Sequence, residues 1–452
     1  MIVSYNKQNI TNALLLYVCF KKYCNDKQDL YISMCKSNHA KNRRQKERPS
    51  WEQVNKGISA THFRRMFRMS RECFNKLCGI IILNVGEDQF KSEAYINEVY
   101  RTNSQSDERA YNIYQAHLNS SGGYVSGEVK LALAIRMLAG GGPLDISVIF
   151  DISPSHCQTI FIWVLVNWII GPNIGKMDIV RYMNDEEAMK KVSQGFARRS
   201  NGVLRGAIGA IDGWLVKIQR PWVNRDNVKD PASFFFRKGF YALNVQCMVD
   251  DAKRVLWASF SHRGSSHDST CFRETSFYND ILKSLQNKLF SMSFFILGDS
   301  AYAIESFILP PYDNAKSKSA EDAFNFYQSS ARITVECAFG EINRRWGIFW
   351  SPIAYSLKNT AIICKGAMHL HNFLVDWRES LSDSHEEVFT ENEIFEYDRL
   401  DNGITSSVIC SDATRPSGRP TDNEVESRMN GLMLRDHLRQ SLKNHNMERP
   451  SK

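Results

Sequence analysis

The sequence predicts an α/β protein, in which a mixed sheet flanked by helices follows an all-α region. Two apolar runs of strand length, at 206–213 and 294–300, each close on an Asp and are typical of strands buried inside a sheet. Alternating apolar and polar residues at 234–250 and 253–262 predict a β-hairpin. Before the first of these strands, apolar residues recur at helical spacing.

Composition sets broad limits on function. The chain has 452 residues, and its 57 Lys and Arg against 49 Asp and Glu give a net charge of +8. This excess is compatible with a polyanionic partner without requiring one. The 11 cysteines show neither Cys-x-x-Cys pairs nor zinc-finger spacing, which favours an intracellular protein with reduced thiols. The apolar run at 13–20 is too short to span a bilayer, so we expect no membrane partner.

We divide the chain into five parts. Residues 1–50 are expected to be a poorly ordered basic arm, and its cluster at 41–48 suits nuclear import, phosphate contact or simply a solvated surface. An acidic stretch at 386–401 is interpreted as solvated, with self-inhibition or docking of a basic partner as alternatives. The other four parts are a helical DNA-binding region (51–170), a connecting helix (171–204), a nuclease domain (205–378) and a polar tail with one C-terminal helix (379–452).

The helical region contains a candidate helix-turn-helix at about 125–169. Ser70 is expected to cap the second of two helices that precede it. Helices are then predicted at 128–139 and 144–150, and a longer one is expected to begin at Pro154, after a Ser153 cap, and reach Trp168. Its first turn offers side chains suited to phosphates and base edges: Ser155, His156, Gln158 and Thr159. A small helical bundle that only packs against its neighbours fits the same pattern.

The two strand-end carboxylates and a long helix form the candidate site. Asp212 and Asp299 follow the apolar runs, and the helix at 323–346 carries Arg332 and Glu336 at i, i+4 spacing. Two strand-borne Asp and one helix-borne Glu are a recurring way to hold two Mg²⁺ ions, which prefer carboxylate oxygens and need few protein ligands. A turn or cap role for Asp212, and a simple ion pair between Glu336 and Arg332, are the alternatives.

Several motifs in order resemble the PIF/Harbinger superfamily of DDE transposases and the nucleases derived from them. They lie at 206–213, 264–269, 297–302, 324–340 and 369–373. The resemblance implies an RNase H-like catalytic fold, two Mg²⁺ or Mn²⁺ ions and an acidic triad at Asp212, Asp299 and Glu336. It also matches Asp268 to a recurrent family Asp, which either lies close to the site or caps and orients its turn.

The sequence departs from the family pattern in three ways. Trp214 and Leu215 stand where the family has a His, Ala301 stands where it has Gly, and Cys337 stands where it has Arg. None of these positions carries a metal ligand. Near Glu336, three basic side chains are suited to holding DNA phosphates, with structural ion pairing as the alternative: Arg332, Arg344 and Arg345.

The resemblance therefore predicts a nuclear, metal-dependent transposase or transposase-derived nuclease. It would hydrolyse double-stranded DNA and then join the freed 3′-hydroxyl to target DNA. We expect a homo-oligomer, aided by a Myb-like accessory protein. The alternatives are a domesticated DNA- or partner-binding protein without catalysis, a regulatory factor that uses only the helix-turn-helix, and a metal-dependent ribonuclease.

Overall fold

The computed structural model describes residues 49–86, 90, 125–177, 179, 185–286, 294–381, 422–445 and 447–450. The basic cluster at 41–48, the rest of the predicted N-terminal arm up to residue 48, and the acidic stretch at 386–401 lie outside these residues. The predicted nuclease domain (205–378) and the predicted helix-turn-helix segment (about 125–169) fall almost wholly inside them.

Seven helices precede the first strand within the described ranges: α1 (Trp51–Lys56), α2 (Ala60–Phe67), α3 (Arg71–Val85), α4 (Gly127–Leu138), α5 (Pro143–Phe150), α6 (Pro154–Val164) and α7 (Glu186–Arg199). The predicted cap at Ser70 is confirmed, since its hydroxyl accepts a hydrogen bond from the Cys73 N–H at 3.1 Å. Ser153 precedes α6, but its side chain makes no capping hydrogen bond. The α-helix also ends before Trp168, because Leu165–Ile170 form a π-helix.

The apolar helices α5 and α6 belong to the protein core. Ile146, Phe150, Cys157 and Phe161 are all buried there, and α6 packs against both α4 and α5. No single helix in the described stretches is long and apolar enough to cross a bilayer. Taken together, α5 and α6 with its π-helical extension have the length and apolar composition of a span, but the pair is bent by 96°.

A mixed six-stranded sheet follows α7 in the described part of the chain: β1 (Ala207–Lys217), β2 (Phe235–Phe236), β3 (Phe240–Val249), β4 (Val255–Arg263), β5 (Phe295–Leu297) and β6 (Ile308–Leu309). The order is β2-β3-β1-β5-β6, and β4 also pairs with β3. The β3–β4 hairpin confirms the prediction from alternating residues. β1 is antiparallel to β3 and parallel to β5, so the predicted mixed sheet is also confirmed.

β1 does not end at Asp212, and this corrects the sequence prediction. Asp212 pairs with Cys247 in the middle of the strand, and the register continues to Lys217. Residues 214–217 are therefore the continuation of β1. The ladder to β3 supplies hydrogen-bond partners beyond Gly213, so the glycine does not break the strand. β5, in contrast, ends at Leu297, just before Gly298 and Asp299.

Six further helices complete the described fold: α8 (Val223–Asp226), α9 (Asp268–Arg273), α10 (Ser276–Gln286), α11 (Ala320–Arg345), α12 (Leu357–Leu381) and α13 (Asp422–Asn444). One face of the sheet shares a continuous core with α11, α12 and the N-terminal helices. On this face the Trp214 ring stacks on Phe339 with centroids 5.7 Å apart. The other face buries Ile211 with Phe272 and Phe277 from α9 and α10.

The C-terminal helix α13 packs on the edge strand β6 and on the start of α11. Leu438 and Leu442 are buried, and Arg439 pairs with Glu321 at 2.7 Å. At Gly431 the helix backbone approaches the Glu305 carbonyl so closely that a side chain would not fit without a shift. The predicted C-terminal helix thus exists, and it covers the edge of the sheet.

We expect the protein to lose stability in acid, because two histidines of α12 are buried. Burial lowers the pKa of both His369 and His371 to about 4, and His371 Nε2 donates to the Lys253 carbonyl at 2.8 Å. The folded state holds each ring neutral, whereas the unfolded state takes up a proton below about pH 6.5. As the pH falls from 7 to 5, each histidine should therefore lower the free energy of unfolding by about 2 kcal/mol.

Denaturant unfolding of wild type and His371→Gln at the two pH values isolates this contribution. The difference between the two proteins should shrink by about 2 kcal/mol on going from pH 7 to pH 5. A difference that stays constant with pH would show that His371 accepts a proton in the folded protein.

Candidate active site

The parallel register between β1 and β5 brings two predicted carboxylates together. Ala210 pairs with Leu297, so Asp212 and Asp299 each lie two residues further along the chain, Asp212 within β1 and Asp299 just after β5. Asp212 lies on the α11 face of the sheet, because side chains alternate along the strand and Ala210 and Trp214 belong to the core on that side. The two acids therefore meet at the carboxyl end of the parallel pair, where ligands of α/β sheets gather.

Helix α11 adds Glu336 and Arg332. Arg332 Nη2 lies 2.6 Å from Glu336 Oε1, and its Nη1 lies 3.4 Å from Asp212 Oδ2. The predicted i, i+4 ion pair is therefore present, and the same guanidinium also contacts Asp212. The Arg332 side chain is 16% exposed, so its guanidinium joins the strand carboxylate to the helix carboxylate inside the site.

The negative charge of the buried carboxylates is only partly neutralised within the site. Burial, and after it the charge of Asp299, raises the pKa of Asp212 to about 7, although Arg332 opposes this change. Burial also raises the pKa of Asp299, against the hydrogen bond that its Oδ1 accepts from the Ala301 N–H at 2.9 Å. A single guanidinium does not fully offset these carboxylates, and a further cation would be favoured here.

Asp268 lies beside the pair on the opposite face of β1. Its Oδ1 accepts hydrogen bonds from Asn244 Nδ2 and Gln246 Nε2, each at 2.8 Å. It does not cap α9 as one interpretation held, because His267 is the N-cap residue and Asp268 is already helical. Gly213 makes this approach feasible, since a side chain at that position would collide with the Asp268 carboxylate.

Sequence reasoning missed the polar residues that hold Asp268. The Tyr302 hydroxyl donates to Gln246 Oε1 at 2.7 Å, and Gln246 Nε2 also donates to Asn244 Oδ1 at 2.9 Å. Asn244 and Gln246 are buried on β3. Their spacing of two residues, which places both on one face of a strand, was the available signal. Amides so deeply buried require partners, and Asp268 supplies one.

The carboxylates fit a divalent cation by their chemistry. The described residues contain no group of three or more His, Cys, Asp or Glu side chains already placed to hold a metal ion, and the Arg332 guanidinium lies between Asp212 and Glu336. The oxygens of Asp212 and Asp299 are nevertheless the hard donors that Mg²⁺ and Mn²⁺ prefer. A divalent cation would neutralise the excess negative charge that these two carboxylates share, so the donor set fits the predicted metal.

The predicted DNA-contacting residues fall into two groups. Ser155, Gln158 and Thr159 are exposed on the first turns of α6, and His156 is half-buried. Near Glu336, Arg332 takes part in the ion pairs above and Arg344 is half-buried. Arg345 donates to the Arg68 carbonyl at 2.8 Å, and burial lowers the pKa of Arg345 to about 10. Arg345 thus joins α11 to the N-terminal helices, and DNA contact by all seven residues stays a prediction.

The chain is similar to known proteins over the segment that carries the candidate site. Residues 211–372 match a family described as DDE superfamily endonuclease. This segment contains Asp212, Asp299 and Glu336. Over 279 residues the chain is 22% identical to Protein ALP1-like from Arabidopsis thaliana, a match that covers 59% of this chain and 64% of that protein. The chain thus spans somewhat less than two thirds of that relative. No solved structure matches.

Proposed function

We propose that the protein is a DDE nuclease of the PIF/Harbinger group, either a transposase or an enzyme derived from one, that cuts double-stranded DNA. The observation that carries the proposal is the β1–β5 register, which places Asp212 beside Asp299 at the carboxyl end of a parallel strand pair. The match to DDE superfamily endonucleases over 211–372 supports it, as does the link from Asp212 through Arg332 to Glu336.

The backbone orients both strand carboxylates for such a reaction. Asp212 Oδ1 accepts a hydrogen bond from the Gly213 N–H at 2.8 Å, and Asp299 Oδ1 accepts one from Ala301. Asp212, Asp299 and Glu336 would together hold Mg²⁺ or Mn²⁺, in two ions. Bound divalent cations activate a water or 3′-hydroxyl nucleophile and stabilise the leaving oxygen of a phosphodiester. Arg332 is suited to hold the phosphate that lies between the carboxylates.

The remaining parts of the proposal concern the wider protein. The exposed first turns of α6, with Ser155, Gln158 and Thr159, would position DNA as part of a helix-turn-helix. Strand transfer by the freed 3′-hydroxyl, a homo-oligomeric assembly, a Myb-like accessory protein and a nuclear location complete it. They are supported by the PIF/Harbinger resemblance.

A domesticated binding protein without catalysis is the second candidate. Arg332 favours it, because the guanidinium already neutralises part of the charge that a metal ion would otherwise bind. In that case the carboxylates would stabilise the fold around Arg332, and the chain would bind DNA without cutting it.

Cleavage of a DNA duplex with Mg²⁺ or Mn²⁺ distinguishes the two candidates, with the wild type compared with Glu336→Gln. Where the coding sequence lies between terminal inverted repeats, the duplex should carry such a repeat. Cutting that requires the metal, is abolished by EDTA and is lost in Glu336→Gln supports the nuclease. Binding of the duplex by both proteins, without cutting by either, supports the binding protein.

A further inference from the structure

The chain between β1 and β3, residues 217–239, is tied to the catalytic domain on two sides. The Gln219 N–H donates to the Ile353 carbonyl at 3.0 Å, and the Leu357 N–H donates to Asp226 Oδ1 at 2.9 Å. On the other side, the Ser265 hydroxyl, in the turn that leads to Asp268, donates to the Ser233 carbonyl at 2.6 Å. We call this segment the β1–β3 insertion, and it is held in place at both sides.

Two large aromatic side chains of the β1–β3 insertion nevertheless face solvent. Trp222 is 65% exposed and Phe235 is 46% exposed. The Arg225 guanidinium lies 5.1 Å from the centroid of the Trp222 ring, and the backbone N–H of Trp222 donates to Asp226 Oδ2 at 2.8 Å. Asp226 fixes the backbone at Trp222, and the Arg225 guanidinium lies over the indole. The ring would therefore lose little conformational freedom on binding, and its exposed surface suits a flat aromatic partner.

Positive charge surrounds these rings. The insertion carries two acids, Asp226 and Asp230, and both accept backbone hydrogen bonds. The Asp226 side chain is fully buried beside Arg225, and Asp230 accepts a hydrogen bond from the Ala232 N–H at 3.0 Å. Because exposed basic residues outnumber the exposed Asp230, this surface is basic and suits a polyanion. Six exposed basic residues form it: Lys217, Arg220, Arg225, Lys229, Arg237 and Lys238.

The insertion lies within reach of DNA bound at the carboxylates. Lys217 is five residues beyond Asp212 along β1, which corresponds to about 17 Å at the rise of a strand. One DNA strand covers this distance in about five nucleotides. The contact between Ser233 and Ser265 also places the insertion against the turn that delivers Asp268. The same nucleic acid could therefore contact both places.

We propose that the β1–β3 insertion binds unpaired bases of the DNA strand beside the cleavage site, with Trp222 stacking on one base and the basic side chains contacting phosphates. Bases inside a duplex have no free face for an indole, whereas single strands bind through aromatic stacking in a basic groove. This inference rests on the proposed function for the presence of DNA, and adds that the strand is unpaired where it crosses the insertion.

The test uses the full chain, with EDTA present to prevent cutting, and two fluorescent probes. One is a blunt 20-base-pair duplex, and the other is the same duplex with a ten-nucleotide single-stranded tail that contains 2-aminopurine. Trp222→Ala should weaken binding of the tailed probe about 10- to 100-fold and of the blunt probe less than about threefold. Wild type should quench 2-aminopurine, Trp222→Ala should not, and Trp222→Phe should restore most of the affinity.

Val223→Ala, which truncates a neighbouring side chain that is 54% exposed, is the matched control and should bind both probes as wild type does. Equal weakening of both probes by Trp222→Ala, or no weakening, would overturn the proposal. A separate measurement of cleavage with Mg²⁺ distinguishes failure of the proposed nuclease activity from failure of the proposed stacking by Trp222. Trp222-dependent binding of the tail without cutting contradicts only the nuclease, and cutting with unchanged tail binding in Trp222→Ala contradicts only the stacking.

Discussion

Asp212→Asn is expected to lower the rate of DNA cleavage at least about 1000-fold, equivalent to about 4 kcal/mol of transition-state stabilisation. The variant keeps the shape of the side chain and the strand register but removes the charge that lies beside Asp299. An amide is a poor substitute for a carboxylate as a ligand of Mg²⁺. Single-turnover cleavage by wild type and variant at equal protein and metal concentrations measures the effect.

The same substitution should make the metal-free protein more stable at pH 7.5. The pKa of Asp212 is raised to about 7 in the folded protein, so folding disfavours its charged form. This contribution to stability is fully present below about pH 4 and is lost as the pH rises through 7. We therefore expect Asp212→Asn to be about 1–3 kcal/mol more stable at pH 7.5. The difference should vanish near pH 4, and Mg²⁺ should stabilise wild type more than the variant.

Asp250→Asn provides the matched control. Asp250 is a buried carboxyl whose pKa is also raised to about 7 by burial, but it accepts its hydrogen bond from the Arg254 N–H at the β3–β4 turn. Its replacement should change stability while leaving cleavage within about threefold of wild type. If Asp250→Asn lost cleavage as completely as Asp212→Asn, the loss would reflect the fold and not the site.

The second large effect is expected at the C-terminal helix. Leu442→Ala should lower the unfolding free energy by about 2–5 kcal/mol, because Leu442 is 1% exposed and its truncation leaves a cavity in the core. Met433→Ala on the same helix should cost less than about 0.5 kcal/mol, since Met433 is 63% exposed. Denaturant unfolding of both variants beside wild type checks the prediction.

Two other results would contradict the packing of α13. Equal and small changes for Leu442→Ala and Met433→Ala would show that the helix does not contribute to the core. Hydrogen exchange offers an independent test, because the amides of α13 should exchange as slowly as those of α11 in wild type and faster in Leu442→Ala.

Local patterns in the sequence predicted most elements and suggested the carboxylates of the candidate site, but they did not predict how the elements pack together. The alternation at 234–262 and the spacing of Arg332 and Glu336 describe single elements, and the structure has both as expected. The predicted end of β1 was wrong, because the strand continues only through its pairing with β3, and that pairing is a long-range contact. Asn244 and Gln246 were missed for the same reason, since their role appears only once Asp268 lies beside them.

The attachment of α13 to the sheet also has a consequence for the order of folding. Arg439 and Glu321 are 118 residues apart in the chain, and Tyr312 and Asp436 are 124 apart. Contacts so distant in sequence carry a loop-closure cost and form slowly. During synthesis, β6 therefore cannot be covered by α13 until more than a hundred further residues have been made. Until α13 is made, this edge of the sheet lacks its helical cover, and we expect the incomplete chain to pair with other strands more readily than the complete fold.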